Sequence, residues 1–146
     1  MSNRIFVLSL SVLFLDQASK AWMTKFLAGV SSYPVVPDVF HLTLVKNSGV
    51  AFGLMKGYSI PVSLATLVLV VSLFWSFFRQ VESRGFLFIL SFSLVLGGAV
   101  GNLIDRFRFG GVIDFLDFRV WPVFNLADSC ITVGACLIAW QILRYS

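Results

Sequence analysis

Two aspartates in apolar surroundings are the residues of this sequence best suited to do chemistry. Asp114 lies in Val-Ile-Asp-Phe-Leu and Asp128 lies in Phe-Asn-Leu-Ala-Asp-Ser, with a proline and a turn between them. They therefore belong to different structural elements and can converge. Two carboxylates that meet in a site of low dielectric do not easily both ionise, so one of them keeps its proton near neutral pH.

A carboxyl pair of this kind can hydrolyse a peptide bond without a metal ion or a covalent intermediate. The ionised partner removes a proton from a water held between the two groups, and the protonated partner donates to the carbonyl oxygen of the substrate. Serine catalysis fits the sequence less well, because the single histidine, His41, lies far along the chain from Ser129. Asp114 and Asp128 are therefore the candidate catalytic pair.

Further polar side chains lie in apolar stretches, where each ionisable group costs about 2.5–3.5 kcal/mol to insert into a membrane. Asp16 and Lys20 are four residues apart and can neutralise one another on one face of a helix. Asn102, Asp105 and Arg106 place three hydrogen-bonding groups in a single turn. We expect this turn to support the binding of something polar.

Helical spacing also predicts how these groups are presented. One polar face on the last apolar stretch consists of Asn125, Asp128, Ser129 and Thr132. A stripe of small residues that ends in a carboxylate consists of Ser93, Gly97, Gly101 and Asp105. Such a stripe lets a neighbouring helix approach closely.

Two other functions remain open on spacing alone. A small proton-coupled transporter would use a relay of intramembrane charges, here Asp16, Lys20, Asp105 and Asp128. A non-catalytic scaffold would use the packing of Gly97 and Gly101 for assembly.

The composition predicts an integral membrane protein. Hydrophobic residues make up 58% of the chain and charged residues 12%, with a mean hydropathy of +0.92, whereas a water-soluble domain is about 45–50% apolar and about 25% charged. One histidine and two cysteines cannot build a His/Cys metal cage, so we expect no metal and no cofactor. The net charge is +4, and the eleven Lys and Arg residues are scattered along the chain. This distribution argues against nucleic-acid binding and fits a surface that faces anionic lipid.

The apolar runs predict a mainly α membrane protein with four transmembrane helices. A helix needs about 20 apolar residues to cross the hydrocarbon, and the predicted spans are about 5–27, 57–78, 85–106 and 122–143. They form one integral domain, 1–146, with both termini on one side. Pro122 is well placed to open the last helix.

The segments at about 28–56 and 107–121 lie on the other side and contain the predicted β-rich element. Residues 39–46 alternate in polarity and residues 112–118 read as extended, as is typical of strands. A turn at 47–49 is followed by a returning segment at 50–52. The raw count of Lys and Arg favours this loop side as cytoplasmic, although the short loop at 79–84 favours the opposite.

Five sequence blocks appear in a fixed order. They are Asp-Gln-Ala-Ser-Lys at 16–20, Asn-Ser-Gly-Val-Ala-Phe at 47–52, Gly-Ala-Val-Gly-Asn-Leu-Ile-Asp-Arg at 98–106, Val-Ile-Asp-Phe at 112–115 and Phe-Asn-Leu-Ala-Asp at 124–128. In combination they resemble the bacterial lipoprotein signal peptidases (signal peptidase II). The resemblance extends from Asp16 to about Ser129.

The resemblance implies an aspartic endopeptidase of the bacterial inner membrane, with cytoplasmic termini and an active site at the periplasmic face. It implies a prolipoprotein substrate that is cut just before a diacylglyceryl-modified cysteine, and Asp114 and Asp128 as the catalytic pair. Positions that match the substrate-binding or supporting residues of the family are Asn47, Gly49, Asn102, Arg106 and Asn125. Asp16 and Lys20 match a structural polar pair. We expect the protein to contact membrane lipid, to bind no nucleic acid and to be a monomer.

Overall fold

The computed structural model describes residues 2–48, 59–80 and 85–145. It contains four helices and three strands: α1 (Ser2–Phe26), β1 (Tyr33–Val36), β2 (Phe40–Asn47), α2 (Ser59–Gln80), α3 (Phe86–Phe109), β3 (Val112–Asp117) and α4 (Leu126–Tyr145). The fold is therefore mainly helical with a small sheet, as predicted. Gly49, the returning segment at 50–52 and the first two residues of the predicted second span lie outside the described residues.

Three of the described helices are long and apolar enough to cross a membrane. They are Asn3–Phe26, Phe86–Phe109 and Leu126–Arg144. In α2 the apolar stretch found within the described residues, Ile60–Ser72, is shorter. The fourth transmembrane span stays a prediction.

Helix α3 is the central helix, and its glycines allow the neighbours to approach closely. A Cβ atom at Gly97 would lie 2.6 Å from the carbonyl oxygen of Ser9 in α1. A Cβ atom at Gly98 would lie 2.6 Å from the carbonyl oxygen of Ala127 in α4. Gly97 and Gly101 of the predicted stripe thus pack against α1, as the sequence predicts, and Gly98 packs against α4.

These contacts fix the directions of the helices. Gly97 meets Ser9 and Gly101 meets Asp16, so α1 and α3 run parallel. Gly98 meets Ala127, whereas Gly134 meets the carbonyl of Ser91, so α3 and α4 run antiparallel. The last turns of α1 and α3 and the first turn of α4 therefore lie at the same end of the bundle, which we call the site end.

The sheet connects to the helices at the site end. Its order is β1-β2-β3 and both pairings are antiparallel. The predicted strands at 39–46 and 112–118 correspond to β2 and β3, whereas β1, with the sequence Tyr-Pro-Val-Val, was not predicted. Because Pro34 cannot donate a ladder hydrogen bond, its place on an edge strand is the expected one.

Two helix boundaries at the site end differ from the prediction by about three or four residues. Helix α4 begins at Leu126 instead of near 122, because Phe124 pairs with Leu116 through N–H···O bonds of 3.0 and 2.8 Å that keep the preceding segment extended. Helix α3 continues to Phe109, where Gly110 ends it with a left-handed φ of 70° and an N–H bond to the Arg106 carbonyl. Pro122 therefore precedes the helix and does not open it.

Candidate active site

Asp114 and Asp128 line one cavity at the site end. Asp114 lies in the middle of β3 and is 1% exposed, and Asp128 lies in the first turn of α4. The cavity measures about 290 Å³ and is lined by Asn47, Asn102, Arg106, Val112, Asp114, Trp121, Pro122, Val123, Phe124, Asp128, Ile131 and Thr132. The sequence-predicted acids thus meet three of the predicted supporting residues: Asn47, Asn102 and Arg106.

Asn125 connects the two aspartates. Its Nδ2 donates to Asp114 Oδ1 at 2.6 Å, and its Oδ1 accepts the backbone N–H of Asp128 at 2.9 Å. The backbone N–H of Asn125 in turn donates to Asp128 Oδ2 at 3.3 Å. This reciprocal pair of bonds is a capping box, so one residue starts α4 and holds both carboxyls.

Asn102 extends the same network from α3. Its Nδ2 donates to Asp128 Oδ1 at 2.8 Å, and its Oδ1 accepts from Asn125 Nδ2 at 3.1 Å. The two amides therefore form a hydrogen-bonded bridge from Asp114 to Asp128.

Asn47 approaches from the sheet. As the last residue of β2 it pairs with Val112, and its Nδ2 donates to Asp114 Oδ2 at 3.1 Å. Gly111 makes this approach possible, because a Cβ atom there would lie 2.9 Å from the Asn47 carbonyl oxygen. Both oxygens of Asp114 thus accept a hydrogen bond from an amide.

Asp16, Lys20 and Asp105 form a buried ion-pair cluster, which we call the Lys20 cluster. Lys20 Nζ lies 2.8 Å from Asp16 Oδ2 and 2.8 Å from Asp105 Oδ2. Asp16 is 0% exposed, Lys20 is 3% exposed and Asp105 is 1% exposed. The predicted Asp16–Lys20 pair is present, and Asp105 joins it.

Gln17 also binds the two acids of the Lys20 cluster, a role that was not predicted from the sequence. Its Nε2 donates to Asp105 Oδ1 at 2.9 Å and to Asp16 Oδ2 at 3.2 Å. A polar side chain next to an acid in an apolar span is the signal that points to it, because such groups are costly in a membrane unless they are paired.

Arg106 lines the cavity from α3 and is half-buried. Its guanidinium interacts electrostatically with Asp128, Asp114 and Asp105. Within the described ranges 2–48, 59–80 and 85–145, no hydrogen bond or ion pair joins it to another side chain. Its donors are therefore free to meet a bound molecule.

The environment of Asp114 favours its protonated form. Burial raises the pKa of Asp114 to about 7, and the negative charge of Asp128 acts in the same direction. Hydrogen bonds from Asn47 and Asn125 and the charge of Lys20 lower the pKa by a smaller amount. Asp114 can therefore carry a proton near neutral pH, as expected for a coupled carboxyl pair.

The single histidine, His41, lies in a separate polar network on the sheet. His41 Nδ1 lies 3.1 Å from Ser32 Oγ, and Ser32 Oγ lies 2.9 Å from Thr43 Oγ1. Thr43 in turn donates to Asp117 Oδ2 at 2.8 Å. Ser129 instead donates to the Asn125 carbonyl at 3.0 Å inside α4, so the structure does not pair it with His41.

The described residues contain no group of three or more His, Cys, Asp or Glu side chains that could hold a metal ion. The expectation that the protein uses neither a metal nor a cofactor stays a prediction.

Comparison with known proteins adds a family and a fold. A family model described as signal peptidase (SPase) II matches residues 8–144. The lipoprotein signal peptidase of Pelotomaculum thermopropionicum is 42% identical, over 97% of this chain and 93% of its own length. That of Halothermothrix orenii is 44% identical, over 94% of this chain and 95% of its own length. That of Moorella thermoacetica is 46% identical, over 94% of this chain and 91% of its own length.

Two solved structures, each described as a bacterial membrane enzyme studied by the in meso method, share the fold. One has a TM-score of 0.82 at 28% identity, with 96% of this chain and 87% of that chain covered. The other has a TM-score of 0.80 at 29% identity, with 97% and 94% covered.

Proposed function

This chain belongs to the signal peptidase II family of aspartic peptidases, and from that premise we propose that it removes signal peptides from diacylglyceryl-modified prolipoproteins. Cleavage falls just before the lipid-modified cysteine, and Asp114 and Asp128 form the catalytic dyad. The observation that carries this proposal is that both carboxyls line one cavity and are joined by Asn125 and Asn102.

The dyad activates water directly. Asp128, in its ionised form, takes a proton from a water held between the two carboxyls, and the hydroxide attacks the scissile carbonyl carbon. Protonated Asp114 donates to the carbonyl oxygen as it becomes negative. As the tetrahedral intermediate collapses and the C–N bond breaks, Asp114 takes a proton back from a hydroxyl of the intermediate and the leaving amine takes the proton from Asp128. The carboxyl pair thereby regains its starting state with one proton.

Asp114 is assigned the proton because burial and the charge of Asp128 raise its pKa to about 7. The assignment concerns the pair, since two strongly interacting carboxyls titrate together.

Arg106 binds the substrate in this proposal. Its guanidinium lines the cavity, and none of the described side chains takes up its donors. An arginine in this position can donate to the backbone carbonyl oxygens of an extended peptide. The end of β2 at Asn47 supplies backbone groups for the same peptide.

The lipid on the substrate explains the apolar side of the cavity. Trp121, Val123 and Ile131 line it beside the two acids, and Trp121 is 58% exposed. Aromatic residues of this kind favour the membrane interface. A lipid-modified substrate can therefore arrive laterally, with its acyl chains in the hydrocarbon and its scissile bond at the site end.

We place the protein in the bacterial inner membrane as a monomer, with both termini in the cytoplasm and the site end at the periplasmic face. Family membership supports this orientation, whereas the charge count leaves it open.

The test is cleavage of a diacylglyceryl-modified precursor by the purified protein in detergent, followed by gel shift and by mass spectrometry of the products. We expect Asp114→Asn and Asp128→Asn to remain folded and to lose at least about 1,000-fold in rate, because each removes one partner of the water-activating pair. The matched control is Asp38→Asn, since Asp38 is an exposed turn residue with a φ of 61°, which asparagine tolerates.

Near-normal turnover in either dyad variant would reject the mechanism. Proton flux in proteoliposomes without cleavage would instead favour the transporter. The transporter is disfavoured by the structure of its supposed relay, because Asp16, Lys20 and Asp105 are bound to one another at the site end.

A further inference from the structure

We infer that Lys20 is a positioning residue that sets the relative placement of the two dyad aspartates, through the two buried carboxylates it cross-links. The inference rests on the proposed function, because it concerns the geometry of the same dyad. In this role the Lys20 cluster positions the dyad in addition to neutralising buried charge.

Each carboxylate of the Lys20 cluster holds the backbone immediately before one dyad residue. Asp105 Oδ2 accepts the N–H of Ile113, which precedes Asp114, at 3.2 Å. Asp16 Oδ1 accepts the N–H of Ala127, which precedes Asp128, at 3.0 Å. The two bonds therefore fix β3 and the first turn of α4 at the residues next to the reacting groups.

Lys20 joins these two attachment points. Its ammonium lies 2.8 Å from a carboxylate oxygen of Asp16 and 2.8 Å from one of Asp105. A displacement of either carboxylate would stretch an ion pair that is almost completely removed from water, where such contacts are screened least. The distance between the two backbone attachment points is therefore set by one side chain of α1.

The third donor of Lys20 acts on Asp128 by another route. Lys20 Nζ donates to Asn102 Oδ1 at 2.9 Å, which turns the Asn102 Nδ2 group toward Asp128 Oδ1 at 2.8 Å. An ammonium has three donors, and all three are used. The contact with Asn102 leads directly to Asp128, and the contacts with Asp105 and Asp16 lead to the amides that precede Asp114 and Asp128.

A purely structural ion pair would explain the burial but not this convergence. Two acids that neutralise a lysine need only face it, whereas here each also binds the amide that precedes a dyad residue. The two interpretations differ in what they predict. Charge neutralisation affects stability alone, whereas positioning affects kcat in a protein that remains folded.

The charge of Lys20 adds a second measurable effect. It lowers the pKa of Asp114 against the larger effects of burial and of Asp128. Among the described residues, the charged side chains of Asp105 and Arg106 on α3 also lie near Asp114. Loss of the positive charge therefore raises the pKa of Asp114. Because the protonated form is the reactive one, the alkaline limb of the pH–rate profile moves to higher pH.

The experiment compares Lys20→Met, Lys20→Arg and the control Lys25→Met, using the precursor cleavage assay and thermal melting in detergent. Lys25 is an exposed basic residue on the same helix. Turnover by the wild type and by Lys25→Met tests the proposed function separately, so its failure is distinguishable from failure of this inference.

We expect Lys20→Met to keep KM within about twofold and to lose about 100-fold in kcat, because a misplacement of about 1 Å has a cost of this size. The alkaline limb of its pH–rate profile should lie at higher pH than that of the wild type. Lys20→Arg keeps the charge but replaces a compact ammonium by a larger planar group. We expect it to lower kcat by about tenfold and to leave the alkaline limb in place.

A folded Lys20→Met with wild-type kcat and pH profile would overturn the inference. If Lys20→Met does not fold, a folded Lys20→Arg with full kcat would overturn it, because retained charge alone would then suffice. Failure of both variants to fold, beside a normal Lys25→Met, would make Lys20 a residue of folding only and would equally overturn it.

Discussion

Asn125 is the residue at which helix formation and catalysis depend on the same side chain. Its Oδ1 caps α4 by accepting the N–H of Asp128, and its Nδ2 donates to Asp114. It is 0% exposed. An amide suits this position because its NH2 group donates to both Asp114 and Asn102 while its oxygen accepts from Asp128. A hydroxyl has only one donor, and an ionised carboxylate has none.

We predict that Asn125→Ala lowers kcat by about 100-fold, because both aspartates lose a partner that fixes their orientation. Loss of the helix cap should cost about 1 kcal/mol of stability. Steady-state cleavage and thermal melting in detergent measure the two effects. Asn3→Ala, an exposed change near the start of α1, is the control. A kcat within twofold of the wild type would contradict the bridging role.

The sequence predicts these residues better than it predicts their partners. Asp114 and Asp128 are recognisable because an ionisable group in an apolar segment is energetically costly and usually functional. Asp16 and Lys20 are recognisable because they are one helical turn apart. Asn102 is recognisable as one of three polar residues in a single turn, but its partners Lys20 and Asp128 lie on α1 and α4. Partners on other helices depend on which faces pack together, and sequence spacing within one helix does not contain that information.

Among the elements, the contact between α1 and α3 is the one on which the site most depends. Gly101 lies against Asp16 in the Lys20 cluster, and a Cβ atom there would lie 2.5 Å from Asp16 Oδ2. The absence of a side chain at this position allows the two helices to bring their charged groups together.

We predict that Gly101→Ala destabilises the protein by about 1–3 kcal/mol, as overpacking of a close contact does, and that it lowers cleavage as well. Thermal melting and the cleavage assay provide the measurements. Gly85→Ala is the matched control, because nothing lies within 4 Å of a Cβ atom there. Equal melting temperatures for the two variants would show that the close approach of α1 to α3 is not required.

The predicted elements agree with the structure where hydrophobic pattern decides and differ where tertiary pairing decides. Strands β2 and β3 follow from their composition and alternation. The start of α4 does not, because Pro122 is a favourable first residue of a helix, whereas the backbone pairing of Phe124 with Leu116 holds the chain extended. Strand β1 is short and contains a proline, so its pairing with β2 has little local signal.

For the molecule as a whole, orientation in the membrane decides which compartment contains the site. The site end contains the sheet, the dyad and the Lys20 cluster, and family membership supports its placement at the periplasmic face. Both cysteines are free, Cys130 half-buried and Cys136 exposed, so they can be replaced before single cysteines are introduced for labelling.

We predict that, in a Cys130→Ala, Cys136→Ala background, a cysteine at Ser31 reacts with a membrane-impermeant maleimide added to spheroplasts. Ser31 is exposed at the site end, whereas Asn3 is exposed at the opposite end. A cysteine at Asn3 should react only after the membrane is permeabilised. The reverse pattern would place the site end in the cytoplasm.

The shared proton is also a property of the assembled molecule, because α4 and β3 must meet before the two carboxyls can interact. With a folded pKa of about 7 for Asp114, the protonated partner is present at acid and neutral pH and is lost as the pH rises through about 7. The ionised partner is lost at low pH, so the two requirements give a bell-shaped profile.

The most direct test of the dyad is therefore the pH dependence of kcat/KM for cleavage of a diacylglyceryl-modified precursor between about pH 4 and pH 9, with folding checked at each pH. We predict a bell whose alkaline limb falls near pH 7 and whose two apparent pKa values belong to the coupled pair. A rate that is flat, or that continues to rise through pH 9, would contradict a mechanism in which Asp114 and Asp128 share one proton.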